Sequence, residues 1–376
     1  MVPLLRFAQD TYSKAAKILG YRPRICHLNE TDWYEEKWNL QKAGSQEFDN
    51  TFDDEVGGNP GRTKTYHWPD IDCYRVRDVK VVGDEGQVYL RDGRLLLPSI
   101  FPYRLERVRV RPPLPFYKTI HHPVFHLTGV HHFNRGHFNQ EYLPRVVAAK
   151  EYLPKELFDD LWFLLAPKHV HWQLNMLKYL GIKQERIIPA IFGTLRIEEM
   201  YFAPMIERRV DPISSPELQA KVRRCFDGIK ADEPTSVLFL SRRDAPWRKV
   251  NNEDELIRAT EKLLGPTRVV TFGNMTFEEQ IAVMKSARII LGVLGQAVSN
   301  ILFIEDKTLV VLIPGTLAND HSGIAHWFLA MMGNNKVLTL RCGQEKLDVK
   351  NWSFPLDSYE RQLTQAISHG LSGKPE

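Results

Sequence analysis

A histidine and a glutamate stand four positions apart in the stretch HFNQE, at His137 and Glu141. If the segment is helical, this spacing puts both side chains on one face, where an imidazole and a carboxylate can share a proton. A carboxylate near a helix start is also favourable simply because it opposes the helix dipole. The spacing alone leaves acid–base chemistry and helix stabilisation both open.

The same region is rich in histidine, because six of the 13 histidines fall between His121 and His137. Neutral imidazole is the commonest metal ligand, which makes a metal site one interpretation. The spacing matches neither H-E-x-x-H nor a Cys/His finger. We therefore expect no bound metal.

A basic cluster follows the apolar run VLFL, in SRRDAPWRK. Guanidinium groups match phosphate oxygens, and clustering them costs self-repulsion unless an anion is expected. The alternative is a solvated loop whose charges are paired with the nearby Asp244, Glu253 and Asp254. The candidate anion-binding residues are Ser241, Arg242, Arg243 and Arg248.

A glycine turn interrupts a second apolar run, in ILGVLGQAVSNILF. A helix that begins at this turn would point unpaired N–H groups outward, which suits an anion. A turn with a purely structural role could have the same sequence. The turn lacks the G-x-G-x-x-G spacing of dinucleotide-binding proteins and the lysine of the nucleoside-triphosphate P-loop. With the basic cluster it predicts a diphosphate site that includes Gly292, Gly295, Gln296, Ala297, Ser299 and Asn300.

Short apolar runs alternate with helical patterns from residue 123 to 205 and again from 236 to 313. This alternation predicts an α/β fold with parallel sheets, and ligands in such sheets bind beyond the carboxyl ends of the strands. The polar segment 29–70 predicts loops and short helix, and 79–98 predicts a hairpin or meander. Several prolines mark a boundary near residue 115.

The chain therefore divides into four predicted parts. An N-terminal extension with a small β-meander covers 1–115, a first Rossmann-like lobe covers 116–228, and a second covers 229–350. The last part, 351–376, is predicted to be a helix that could cross back to the first lobe.

Composition limits the partners and the compartment. The chain of 376 residues has 50 basic and 46 acidic residues, and its net charge of +4 is too small to favour nucleic-acid binding. The four cysteines are scattered singly, which fits neither a disulfide framework nor a zinc site. We expect a reducing, cytoplasmic compartment.

Residues 1–20 form a helical apolar stripe with lysine and arginine elsewhere on its surface. The stripe is too short and too interrupted for a signal peptide or a spanning helix. It predicts a packed helix, with peripheral contact to the inner face of a membrane as the alternative.

Three ordered motifs resemble family 61 glycosyltransferases. The first is Asn134, His137 and Glu141 followed by the LPR that ends at Arg145. The second is SRRDAPWRKVNNEDE, which includes Asn252, and the third is FEEQIAVMKSARIILGVLGQAVSNILF, which includes Gln280. The resemblance covers roughly residues 75 to 345.

The resemblance implies a GT-B-like pair of Rossmann-type lobes that face a cleft. It implies an inverting, metal-independent transferase without a cofactor, whose co-substrate is a UDP-type nucleotide sugar and whose acceptor is a glycan or glycoconjugate in polysaccharide assembly. Glu141 would be the base, with His137 as its orienter or substitute. Donor binding would involve Arg242, Arg248 and the amides after Gly292. Supporting roles fall to Asn134, Arg145, Asn252 and Gln280.

One position departs from the family pattern, because Leu294 stands where the family usually has a histidine. The backbone can still meet a diphosphate, but leucine donates no hydrogen bond. A weakly active or inactive glycan- or nucleotide-binding relative is therefore the alternative function. A nicotinamide-dependent oxidoreductase is disfavoured by the missing fingerprint.

Overall fold

The computed structural model describes most of the chain. The predicted membrane-contact segment 1–20 lies outside the described residues except for 11–15, which are helical, and Arg248 also lies outside them. The described residues are 11–15, 21–48, 64–100, 110–115, 117–129, 131–166, 171–191, 193–204, 214–246, 249–313, 335–340, 342 and 351–371. Within them, no helix has the length and apolar character needed to span a bilayer.

Contacts divide the chain into two compact units. The first contains residues 1–43 and 69–208, and the second contains residues 44–68 and 209–376. This division differs from the predicted boundary at 115, because strands on both sides of that residue pair within one sheet. The segment predicted as a separate β-meander extension is thus largely part of the first unit.

The first unit is built on a mixed nine-stranded sheet. Its strands are β1 (Ile25–Cys26), β2 (Glu36–Gln41), β5 (Ile71–Val82), β6 (Gln87–Tyr89), β7 (Leu95–Leu96), β8 (Lys118–His126), β9 (Trp162–Leu165), β10 (Ile187–Pro189) and β11 (Thr194–Phe202). Their order in the sheet is β1-β7-β6-β5-β11-β8-β9-β10, and β2 pairs with β5 beside this path. Strands β11, β8, β9 and β10 run parallel to one another, whereas β5 is antiparallel to β11.

The long strand β5 changes phase at Asp78, whose φ is 56°. Before it Tyr74 and Val76 enter the core, and after it Val79 and Val81 do so. Strict alternation would keep all core side chains an even number of residues apart. Asp78 has a left-handed backbone conformation, which aspartate tolerates better than most residues do. This conformation shifts the alternation of inward and outward side chains by one residue. As a result, Asp78 and Lys80 lie on the face opposite the core.

Helical segments of the first unit follow β8 and β9. A short turn α1 (Arg135–His137) leads through a π-helical turn (Phe138–Tyr142) into α2 (Leu143–Tyr152). Helices α3 (Lys155–Asp160) and α4 (His171–Tyr179) come next. Helices and strands therefore occur in turn in this part of the chain, as predicted for residues 123 to 205.

The second unit contains a five-stranded, fully parallel sheet in the order β14-β12-β15-β16-β17. Its central strands β12, β15 and β16 are largely buried, which is why they read as continuous apolar runs. Two small two-stranded sheets, β3-β4 and β13-β18, also belong to this unit. The strands are β3 (Gly44–Phe48), β4 (Lys64–Trp68), β12 (Thr235–Leu240), β13 (Lys249–Val250), β14 (Thr267–Val270), β15 (Ala287–Val293), β16 (Leu309–Ile313), β17 (Lys336–Thr339) and β18 (Asn351–Trp352).

Helices cover the parallel sheet. They are α5 (Pro216–Arg224), α6 (Glu253–Leu264), α7 (Phe277–Ser286) and α8 (Leu356–Leu371), together with a 3-10 helix at Gln296–Phe303. The C-terminal helix α8 packs within the second unit. Its Tyr359, Leu363 and Ala366 are fully buried in the core of the second unit. The apolar stripe of α8 is therefore satisfied there.

Two other predictions need correction. The segment 29–70 contains β2, β3 and β4, whereas loops and short helix were predicted. The helix considered at the glycine turn is a 3-10 helix, Gln296–Phe303. Strand β11 lies at the centre of its sheet and was not predicted at all.

Candidate functional site

His137 and Glu141 form a direct pair in the first unit. Nδ1 of His137 lies 2.8 Å from Oε1 of Glu141. The glutamate side chain is only 3% exposed, whereas the histidine side chain is 27% exposed. The carboxylate thus lies behind the imidazole, and the imidazole is the member of the pair that reaches the surface.

The local sequence explains this geometry. Asn134 starts the helix, since its side-chain oxygen accepts the N–H of Gly136 at 2.9 Å. Pro144 has no N–H and cannot extend an ordinary helical ladder, and the π-helical turn lies directly before it. Buried Arg145 donates from Nε to the Glu141 carbonyl at 2.7 Å and from Nη1 to Ala203 O at 2.5 Å. Asn134 and Arg145 therefore hold the turn, as a supporting role would require.

The pair can act as an oriented base. When the Glu141 carboxylate is ionised it only accepts hydrogen bonds, and a neutral His137 that donates to it from Nδ1 keeps a lone pair on Nε2. The ring is then fixed in one tautomer. A substrate hydroxyl at the surface would meet this nitrogen.

Sequence analysis missed the polar residues packed beside the pair. Asn139 and Gln140 are buried within the π-helical turn, and Arg135 is buried with its guanidinium 5.9 Å from the Trp172 ring. In the described part of the chain, neither amide atom of Gln140 has a hydrogen-bond partner. Buried polar atoms are normally satisfied, so each exception needs an explanation. The signal in the sequence was the run of three polar residues, NQE, inside a helix that is otherwise apolar.

The other histidines of the run make separate contacts. His121 pairs with Glu198 at 3.1 Å, His122 stacks on Trp162, and His132 contacts Gly129 O. His126 is buried and contacts Gly86 O, and burial lowers its pKa to about 4. Among the described residues, no three His, Cys, Asp or Glu side chains are grouped as metal ligands.

In the second unit, the loop after β12 is organised by a buried carboxylate, Glu253. This carboxylate accepts the Ser241 hydroxyl at 2.7 Å and the Arg242 N–H at 2.9 Å. Arg243 pairs with both Glu253 and Asp254. Ser241 and Arg243 are thus held by acidic neighbours, which is the structural alternative for this loop. The Arg242 side chain points elsewhere.

Arg242 lies directly against Gly295. A Cβ added at Gly295 would overlap the Arg242 guanidinium, so a larger residue there would displace the end of the arginine side chain. The two residues follow β12 and β15, the neighbouring strands at which the order of this sheet reverses. In open parallel sheets, ligands bind outside the carboxyl ends of strands at such a reversal. The structure therefore brings together two of the predicted anion-binding features.

The other residues predicted to bind the diphosphate differ in how deeply they are buried. Gln296 is exposed and Ala297 partly exposed at the start of the 3-10 helix. Gly292 lies within β15, where a Cβ would crowd Val298 and Leu240. Ser299 and Asn300 are fully buried, so their side chains serve packing instead of the surface.

Two residues with predicted supporting roles make structural hydrogen bonds. Gln280 donates to Phe272 O and Met275 O and accepts from Asn300. The Asn252 side chain bonds both the N–H and the carbonyl of Phe354, so it joins the start of α6 to the segment before α8. None of these hydrogen bonds involves Arg242 or Gly295.

A protein-family model described as Glycosyltransferase 61 matches residues 136–311. This segment belongs to glycosyltransferase family 61. A search of the curated proteins found no match to the chain. The predicted family is therefore confirmed, and with it the broad class of glycosyltransferase.

The glycosyltransferase 61 segment contains both the His137–Glu141 pair and the Arg242–Gly295 contact. It begins one residue before His137, includes Arg242 and Gly295, and ends within β16. Leu294 is buried within the segment, and its N–H donates to Ile313 O at 3.0 Å. At this position a leucine fills the core of the second unit.

Proposed function

We propose that this protein is an inverting glycosyltransferase that moves a sugar from a nucleotide-diphosphate donor to a hydroxyl of a glycan or glycoconjugate. The proposal includes the GT-B-like organisation, the UDP-type donor, the independence from metal and the role in polysaccharide assembly that the family resemblance implies. The observation that carries it is the His137–Glu141 pair inside the glycosyltransferase 61 segment.

Inversion needs a base that takes the proton of the attacking hydroxyl. The sequence favours Glu141 for this role, but its side chain is nearly fully buried while His137 reaches the surface. This burial supports the opposite assignment within the same pair. In our proposal Nε2 of His137 accepts the proton, and Glu141 holds the ring and stabilises the imidazolium that forms.

The leaving diphosphate needs positive charge and N–H donors. Arg242 and the backbone at Gly295 to Ala297 offer both at the strand ends of the second unit. The arginine is partly exposed and is held in place by the Glu253 contact to its own backbone. The buried Gln140 amide is a further candidate for positioning the acceptor in the first unit.

The test is a transfer assay over a panel of nucleotide sugars, with and without a chelator, on His137→Asn and Glu141→Gln. We expect His137→Asn to lower kcat by about 10³-fold and Glu141→Gln by about 10²-fold, because general-base catalysis contributes about 10²–10⁴-fold. Nucleoside diphosphate binding should be unchanged in both variants. His121→Asn is the matched control, because it removes another histidine paired with a glutamate in the same unit.

If Glu141→Gln loses all activity while His137→Asn keeps most of it, Glu141 is the base and the assignment within the pair is reversed. If both variants retain full activity, the proposed site is wrong. Loss of activity on chelation would contradict independence from metal.

A second candidate is a nucleotide- or glycan-binding relative without transferase activity, and Leu294 is the observation that favours it. Such a protein would bind nucleoside diphosphates, as seen by calorimetry, but release none from any nucleotide sugar. The variant Leu294→His would be the direct comparison. Recovered turnover in that variant would identify position 294 as the cause.

A further inference from the structure

A pocket in the first unit is lined by residues that include neither His137 nor Glu141. It has a volume of about 500 Å³. It is lined by Tyr21, Asp78, Lys80, Tyr89, Leu90, Arg91, Gly93, Pro113, Tyr117 and Arg196. Pockets of 300–1,000 Å³ are the usual size for small ligands.

The sheet itself builds the floor of this pocket. Tyr89, Lys80 and Arg196 are direct neighbours on β6, β5 and β11, because Lys80 pairs with Tyr89 on one side and with Arg196 on the other. Neighbours in register project to the same face of a sheet. The left-handed Asp78 is what turns this part of β5 so that Lys80 faces the pocket. The polar row is thus fixed by the fold.

The charge of the lining is unbalanced. Three cationic side chains line the pocket with one carboxylate, and Asp78 already binds Arg196, whose Nε lies 3.0 Å from Oδ1. Among the described residues, neither Lys80 nor Arg91 has an ion-pair partner. Clustered cations without a counter-charge are suited to an anionic ligand.

Aromatic rings complete the lining. Tyr21 is 40% exposed and Tyr117 is 45% exposed, and the Lys80 ammonium lies 5.4 Å from the centre of the Tyr117 ring. Exposed tyrosines give flat apolar faces with a polar tip. Sugar rings have apolar faces and hydroxyl edges, and the Asp78 carboxylate can accept hydrogen bonds from such hydroxyls.

We propose that this pocket binds an anionic sugar residue of a glycan, one that carries a carboxylate or a phosphate group. The tyrosines contact the ring, and Lys80 and Arg91 contact the charged substituent. The choice of a sugar as ligand rests on the proposed function, because a glycosyltransferase has to hold its glycan acceptor.

The pocket is a separate subsite from the catalytic pair. Arg196 lies near the start of β11, whereas Ala203, whose carbonyl accepts a hydrogen bond from Arg145 of α2, follows the end of that strand. At about 3.3 Å per residue, the two positions are on the order of 20 Å apart along the strand. A residue of the glycan bound here would be remote from the reacting hydroxyl.

The test is calorimetry on the full chain with two probes, a galacturonate trimer for the carboxylate and glucose 6-phosphate for the phosphate. The neutral galactose trimer is the control ligand. We expect saturable binding of at least one anionic probe, weaker at high salt because exposed charges are screened. The double variant Lys80→Gln with Arg91→Gln should weaken that binding about ten-fold, since two charge contacts near the surface are removed.

The matched control is Lys118→Gln with Lys183→Gln, which removes two exposed charges of the same unit outside the pocket. Equal weakening by this control, equal binding of the neutral trimer, or no binding of either anionic probe would overturn the proposal. Binding needs no turnover, so Glu141→Gln should bind the probe normally. If binding is found in a chain that transfers no sugar, the proposed function fails while the pocket assignment stands.

Discussion

The guanidinium of Arg242 occupies the space that a side chain at position 295 would need. A glycine at the end of a strand is common in α/β proteins, and here it also leaves space for the end of the Arg242 side chain. Gly292, three residues earlier, is a glycine for another reason, because Val298 and Leu240 pack closely over it. The two glycines should therefore respond differently to the same substitution.

We expect Gly295→Ala to weaken nucleoside diphosphate binding about ten-fold, because it displaces Arg242 and a hydrogen bond to a charged group contributes about 1.5–3 kcal/mol. Gly292→Ala should instead lower the free energy of unfolding by about 1 kcal/mol through overpacking, with binding unchanged. Calorimetric titration and denaturant unfolding measure the two effects.

The double variant Gly295→Ala with Arg242→Ala isolates the mechanism. If Gly295 acts through Arg242, alanine at 295 adds no further loss once the arginine is gone. Additive losses would mean that Gly295 contributes independently, through its own backbone.

At the scale of elements, the second unit depends on a short polar link between α6 and the C-terminal segment. Asn252 bonds both backbone groups of Phe354, and the neighbouring Asn251 N–H donates to Trp352 O at 2.7 Å. These bonds hold Phe354 in the core, next to Tyr359 of α8. The Asn252 side chain thus helps to fix the segment that leads into α8.

Asn252→Ala should lower the free energy of unfolding by about 2 kcal/mol, because two hydrogen bonds are lost and their backbone partners stay partly buried. Asn251→Ala is the control, since its exposed side chain can be removed with a change within about 0.5 kcal/mol. Denaturant unfolding of both variants measures the difference. Equal stabilities would show that the link contributes nothing.

Buried apolar strands were predicted from the sequence, whereas strands with polar or irregular sequences were missed. The central parallel strands of the second unit were predicted because each is largely buried and reads as an apolar run. Strand β11 was missed because its sequence, TLRIEEMYF, changes phase at the level of Asp78 and so shows no regular alternation. Strands β2, β3 and β4 carry mainly polar residues, several of them at exposed positions.

The candidate site was predictable where it depends on local spacing. The His137–Glu141 contact follows from four-residue spacing on one helical segment. The contact of Arg242 with Gly295 does not, because it depends on β12 and β15 being neighbours in the sheet. The burial of Ser299 and Asn300 also depends on how the 3-10 helix packs, and this packing cannot be predicted from the local sequence.

At the scale of the whole molecule, stability should depend on pH through a buried histidine. His126 is fully buried, contacts Gly86 O, and has a pKa lowered to about 4 by its burial. In the unfolded chain a histidine has a pKa of about 6.5. The unfolded state therefore binds more protons in this range, and stability falls as the pH drops from about 6.5 to about 4.

The loss from His126 should reach on the order of 3 kcal/mol at the acid end, and burial of His132, whose pKa is also lowered, acts in the same direction. Thermal or denaturant unfolding between about pH 7 and about pH 4.5 measures most of this loss. His126→Gln should show a shallower decline than the unaltered protein, because its amide does not titrate. Parallel curves for the two proteins would contradict the assignment.

The pairing of β5 with β11 also has a consequence for synthesis of the chain. Asp78 and Arg196, which meet in this pair, are 118 residues apart in the sequence. At about 5–20 residues per second, a ribosome needs roughly 6–24 s to make the intervening chain. During that time β5 lacks its longest partner strand. We therefore expect nascent chains that stop before β11 to associate with chaperones, and release to follow once Phe202 has left the ribosome.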